Sequence, residues 1–283
     1  MSVSVAAVLI QSPHDAEAHF GIKRETTWTG YKVHLTESCD ADQPALITNV
    51  ATTAATLTDN AVIGDIHDYL ATRNLLPAHH IVDAGYMDAH GMVAAATDHA
   101  VDLVGPVLAD TNWQARQNRG YAAADFTIDW TNRVVCCPQG HNSTYWRAHH
   151  DHTGHDVVEV RWSWTTCKRC PVLGDCSQKQ RGSRTRKLWA EAEYRALQAA
   201  RQRQTTPAFR ERYEQRAGIE GTLSQCIQMS GLRRARYRGL ARTHQQQRCI
   251  ATARNLVRAV DWLTLPVRRK LPQSPFSALL AAA

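Results

Sequence analysis

The chain has 283 residues, enough for one large domain or two modest ones with a sizeable core. Apolar residues make up 43%, which excludes a long disordered chain. Lys and Arg exceed Asp and Glu by 33 to 26, a modest excess whose distribution matters more than its sum.

Between Arg201 and Arg242 there are ten arginines, no lysine and three acids (Glu211, Glu214, Glu220), so this segment carries +7, as much as the whole chain. A concentrated basic stretch favours a polyanionic partner; the alternative is a solvated helix face. No apolar run approaches the roughly 18 residues of a membrane span. The opening "MSVSVAAVLI" is too short and lacks the basic start of a signal peptide. The expectation is a cytoplasmic protein with no membrane partner.

In chain order, residues 30–36 (GYKVHLT) and 45–53 (ALITNVATT) are β-rich and separated by a turn-prone stretch, which predicts an antiparallel hairpin. Residues 60–74 place Ile63, Ile66, Tyr69 and Leu70 at helical spacing. "HIVDAG" then reads as a short buried strand, residues 88–99 as a helix, and "VDLVGPV" (101–107) as another buried strand ended by Gly105-Pro106. Together these make most of a mixed α/β sheet with flanking helices.

Residues 108–187 change character, being rich in Trp, Asn, His and Cys with few aliphatic runs, and read as an insertion. From about residue 188 the pattern is helical, with Pro207 at the first turn of one helix. The segments expected are thus 1–107, the N-terminal part of the core; 108–187, the Cys-rich insertion; 188–265, helices completing the core; and 266–283, a loose tail. No internal repeat is evident.

Two acids stand out. Asp83 ends the predicted strand "HIVD" and is followed by Gly85 and Tyr86. Open α/β sheets place ligands at the C-terminal ends of their strands, although Asp is also a favoured helix N-cap. The second acid is Glu220. Phe209, Tyr213, Arg216, Glu220, Leu223 and Ile227 recur at spacings of three and four, which predicts one face of a single helix. On that face Glu220 needs a counter-charge or a metal, Arg216 at i−4 being the structural candidate. Gly218 and Gly221 beside it weaken a helix, which a close approach of backbone or ligand would explain. An acid at a strand end and another on a helix could converge on Mg²⁺ or Mn²⁺, with the basic segment holding phosphates.

Of eight cysteines, Cys137, Cys167, Cys170 and Cys176 form C-x₂₉-C-x₂-C-x₅-C, with Cys136 adjacent to the first. This spacing suits a tetrahedral Zn²⁺ site. His141 and the histidines of 149–155 are alternative ligands, and reduced, unmetallated thiols in a loop-rich insertion fit equally. Cys39, Cys226 and Cys249 read as packing residues.

"VDAGY" followed by "YEQRAGIEG" resembles the second acid and the Y-x₂-R-x₃-E block of DDE transposases from bacterial insertion sequences. "KRETTWTGYKVHLTESCD", "LVGPV", "CCPQG" and "GLRRARYRGLARTH" resemble the same transposase DDE domain family, in order, over residues 12–263. The resemblance implies a ribonuclease H-like fold in which Asp83 matches the second catalytic acid and Glu220 the third, both holding metal. Tyr213 and Arg216 match the Tyr and Arg of the block, while Ile227 stands where that family often has a lysine.

It implies Mg²⁺- or Mn²⁺-dependent hydrolysis and strand transfer at transposon ends. DNA (transposon ends and target) would be bound through Arg216, Arg233, Arg234, Arg236 and Arg238, with a pair of copies in the DNA complex. The family's first acid lies on a strand upstream of "KR…GYKVHL"; here "SVSVAAVLI" has no acid, and Asp15 and Asp59 are the nearest carboxylates. The resemblance is therefore to the C-terminal portion of a longer transposase, with the first strand missing. A catalytically inactive DNA-binding protein derived from a transposase is the alternative.

Overall fold

A computed structural model describes residues 10–23, 25–40, 42–117, 119–177 and 182–264. "SVSVAAVLI" falls almost wholly outside the described residues, as does the 266–283 tail. The described elements are strands β1 (His19–Lys23), β2 (Thr26–Glu37) and β3 (Ile47–Ala54), helix α1 (Ile63–Thr72), β4 (His79–Ile81), α2 (Ala89–His99) and β5 (Asp102–Val104). There follow α3 (Trp113–Gln117), β6 (Thr127–Asp129), β7 (Val134–Cys136), β8 (Tyr145–His150), β9 (Asp156–Arg161), α4 (Trp164–Lys168), α5 (Leu173–Cys176) and β10 (Thr185–Trp189). The last four are α6 (Glu191–Arg203), α7 (Pro207–Glu214), α8 (Ala217–Ser230) and α9 (Leu240–Thr264). The class is mixed α/β, and no described helix is long and apolar enough to cross a membrane.

The chain divides into two compact units, Met1–Thr56 with Ala217–Ala283, and Leu57–Arg216. In the first, β2 pairs antiparallel with both β1 and β3, and the expected hairpin is the β2–β3 pair, with Leu35 opposite Val50. One face of that sheet is covered by α8 and α9. Ile47, Cys226, Leu232, Ile250 and Ala251 are buried together there, with Val33, Leu35 and Val50 packed against them. The side chain of Asn255 on α9 bonds both the N–H and the C=O of Ile47, at 2.8 and 2.9 Å, and fixes the helix along β3. Arg258 Nη1 donates to Glu37 Oε2 at 2.8 Å, and the Thr222 hydroxyl joins both groups, so a buried charge pair ties α8 and α9 to the end of β2. With both charges desolvated, removing one partner is far more costly than the pair's net contribution.

In the second unit β4 and β5 run parallel, His80 opposite Leu103, with α1 and α2 alongside. Ile63, Val82, Met92, Val101 and Leu103 form its core with Ala200 of α6. His67 and His80 are buried with Nε2 and Nδ1 3.0 Å apart; burial first, and then His67, push His80 down to about 4. The Cys-rich segment is more ordered than its composition suggests. It builds a three-stranded antiparallel sheet, β10-β9-β8, and a β6–β7 hairpin around Phe126, Val135, Val160, Trp162 and Leu188.

The sequence predicted one mixed sheet from these strands. Among the described residues, hydrogen bonding leaves β1-β2-β3 and β4-β5 as separate sheets. Short strands such as the three-residue β4 and β5 offer few ladder bonds to extend further.

Candidate active site and nucleic-acid interface

The parallel ladder ends on Asp83. Val82 N–H still bonds Val104 C=O at 2.8 Å, after which Asp83 is extended (φ −71°, ψ 158°) and leads into the Ala84–Tyr86 turn. Its side chain does not cap that turn; Asp88 is the residue whose carboxylate accepts from Gly91 N–H at the start of α2. The Asp83 carboxylate, about half exposed, instead faces Arg216, with Oδ2 and Nη2 3.5 Å apart. A half-exposed pair at that distance contributes at most about 1 kcal/mol, so it orients more than it stabilises.

Gly85 has a steric reason. A Cβ there would lie 3.1 Å from Asp59 Oδ2, so the missing side chain admits a second carboxylate beside the turn. Tyr86 registers both acids. Burial, then the charges of Asp59 and Asp83, hold its phenol well above the ordinary tyrosine range, against a smaller opposing effect from Arg216. Asp59, Asp83, Tyr86 and Arg216 thus form one electrostatic cluster at the C-terminal end of β4. Gly105 is needed in the same way, because a Cβ would stand 2.7 Å from Val82 O, which accounts for the "VGPV" motif on the neighbouring strand.

Glu220 lies in the first turn of α8 and is exposed. The single helix expected over 209–227 is two: α7 ends at Glu214, and Arg216 sits in the break before α8. From that break Arg216 reaches Asp83. Thr222 and Cys226 are the buried positions of α8. At 100° per residue, Glu220 lies roughly 200° from Thr222 and so points away from the packed face. Crowding does not explain the two glycines: a Cβ at Gly221 meets open space, and one at Gly218 makes ordinary contact with Glu37 at 3.6 Å.

Asp15, considered from sequence as a substitute first acid, is structurally engaged. It accepts from the Tyr31 hydroxyl at 2.8 Å and from Gly239 N–H at 2.9 Å. Burial raises its pKa, but the bonds from Gly239 and Tyr31 outweigh this and hold it below the usual carboxylate range. With Glu17, which accepts from Leu240 N–H, it caps the start of α9.

The arginine-rich loop before α9 is built to present its side chains outward. Leu232 is buried, while Arg233, Arg234, Arg236, Tyr237 and Arg238 are exposed. The backbone is held from behind by α9. Gln246 accepts from Arg236 N–H at 2.8 Å and donates to Arg234 C=O at 2.7 Å, and Gln247 donates to Leu232 C=O at 3.2 Å. Gly231 and Gly239, at φ +68° and +86°, make the turns at either end. Both glutamines are buried, and no local signal in the sequence marks them. Gln246→Ala leaves a backbone N–H and C=O unpaired, at about 1–3 kcal/mol each when buried. It is expected to lower the melting temperature and weaken DNA binding while the arginines remain; an unchanged affinity would show that the loop needs no clamp.

The thiols of Cys137, Cys167, Cys170 and Cys176 line one small cavity with His141. Burial, then the neighbouring sulfurs, raise the Cys176 pKa, with Arg184 opposing. Among the described residues, no group of three or more His, Cys, Asp or Glu side chains already stands at metal-holding spacing. Of the cysteines expected to be packing residues, Cys226 is buried, but Cys39 and Cys249 are exposed.

No curated protein and no solved structure matches the chain. A family model described as Transposase DDE domain matches residues 136–260, which takes in the four gathered cysteines, Arg216, Glu220 and the arginine loop and stops short of Asp83. Over residues 136–260 the chain is similar to transposase DDE domains.

Proposed function

We propose that the chain is a transposase-family protein that holds the DNA ends of an insertion element and supplies two of the carboxylates of that family's metal-dependent phosphodiester hydrolysis and strand transfer. Asp83 and Glu220 are its two metal-holding acids, and Arg233, Arg234, Arg236 and Arg238 its DNA contacts. The observation that carries this reading is the family match across Glu220 and the arginine loop. It is supported by an acid at a strand end that is not spent on a helix cap. The order of elements, hairpin strands, helix, strand, helix, parallel strand, supports a ribonuclease H-like fold.

Asp83 and Glu220 fit a hard divalent cation, because both carboxylates reach solvent. When bound, Mg²⁺ or Mn²⁺ supplies charge stabilisation to the attacking and leaving oxygens. Arg216 orients the Asp83 carboxylate. The arginines hold the phosphate backbone on the rigid loop and so fix which phosphodiester is presented.

The test is retention of a labelled duplex carrying the element's own terminal repeats against a shuffled duplex of equal length. Specific recognition is typically 10³–10⁷ above background, so a preference of at least about a hundredfold is expected. Equal affinity for the two duplexes would contradict the reading.

A further inference from the structure

Four thiols separated by up to 39 positions in the chain meet at one place in the Cys-rich segment. Cys137 opens a tight turn after β7: its C=O accepts from Gly140 N–H at 2.8 Å, its N–H donates to His141 C=O at 2.9 Å, and Gly140 is left-handed at φ +76°. Cys167 and Cys170 sit on a second turn, where Cys170 N–H donates to Cys167 C=O at 3.0 Å. Cys176 closes α5. Each thiol is reduced and half-buried, and with His141 they line a cavity of about 30 Å³, large enough for a single small species. Arg184 lies beside the cluster, Nη1 3.8 Å from Cys176 Sγ, where a cation suits anionic sulfur.

The surrounding core is small. Phe126, Val135, Val158, Val160, Trp162 and Leu188 support three short strands and a hairpin, and Cys137, Cys167 and Cys176 pack on its edge. Segments this size and this rich in loops need a cross-link to hold one conformation.

We propose that Cys137, Cys167, Cys170 and Cys176 bind one structural Zn²⁺, which staples the β7 turn to the α4–α5 turns. Four sulfur donors and no retained open position are the signature of a structural site, and soft thiolates select Zn²⁺ over Mg²⁺ or Mn²⁺. The four sulfurs line one cavity, and zinc would close them to about 2.3 Å from the ion. Binding of a structural zinc ion is coupled to folding, so the ion would stabilise this segment. His141 also lines the cavity, and four sulfur donors already complete a tetrahedral set without it. The proposal is independent of the transposase reading.

Zinc is measured by elemental analysis in the full chain, purified reduced and without chelator. One equivalent is expected, kept in Cys39→Ser, Cys249→Ser and His141→Ala and falling below half in Cys137→Ser and Cys170→Ser. Since a cysteine variant can simply misfold, the wild type is also treated with chelator and probed by limited proteolysis. Cleavage is expected within 127–189, reversed by adding Zn²⁺, and Co²⁺ in its place should show thiolate charge-transfer absorption. Less than a tenth of an equivalent with four titratable thiols and no effect of chelator, or a disulfide among the four, would overturn the proposal. So would loss of zinc in Cys39→Ser.

Discussion

Replacing Arg233, Arg234, Arg236 and Arg238 together by alanine is expected to flatten the salt dependence of DNA binding. Each phosphate contact contributes about −0.9 to the slope of log K against log salt, so four contacts account for a slope of about −3.6. Between 50 and 200 mM salt the wild type should therefore lose roughly 150-fold more affinity than the variant. The four side chains are exposed and their loop is held by backbone bonds to Gln246 and Gln247, so the fold should survive the substitutions. Fluorescence anisotropy across that salt range, with circular dichroism as the control, reads both. An unchanged slope would reduce the loop to a solvated face.

The second large effect concerns cleavage: the 283-residue chain is expected to bind DNA and to leave it uncut in Mg²⁺ or Mn²⁺. Two-metal phosphoryl chemistry needs enough carboxylates to fix both ions. Asp83 and Glu220 supply two, and Asp15 is engaged by Tyr31 and Gly239. Asp59, beside Gly85, is the remaining acid brought to the Asp83 turn. The assay is nicking of a terminal-repeat duplex by the wild type, Asp59→Asn and Asp83→Asn. Cutting by the wild type that both substitutions abolish would show that Asp59 completes the site, and the expectation would be wrong.

Much of this was legible in the sequence because the signals were local. The period-two strands of the β2–β3 hairpin, the 3.6-residue pattern of α1 and the Asp83 strand end all depend on near neighbours in the chain. The arginine cluster was legible as charge, and the four cysteines as a spacing. What failed depended on positions far apart or on one irregular residue. Continuous periodicity across 209–227 concealed the break at Arg216, since two helices in succession can keep a common phase. From that break Arg216 reaches Asp83, 133 residues away. Gln246 and Gln247 were illegible for the opposite reason: a buried glutamine satisfied by loop carbonyls is indistinguishable from a surface one until the loop is in place. That Asp59 would lie beside Gly85 was not legible either, because the two are 26 positions apart.

The proposed function assigns Asp83 and Glu220 to the same metal ion. Electron paramagnetic resonance of Mn²⁺ titrated into the chain bound to a terminal-repeat duplex tests it most directly. Asp83→Asn and Glu220→Gln should each weaken Mn²⁺ binding at least tenfold, about 1.4 kcal/mol. The double variant should be little worse than either single one, because groups sharing a ligand are not additive. Either single variant binding Mn²⁺ as the wild type does, or two losses that simply add, would contradict the shared site.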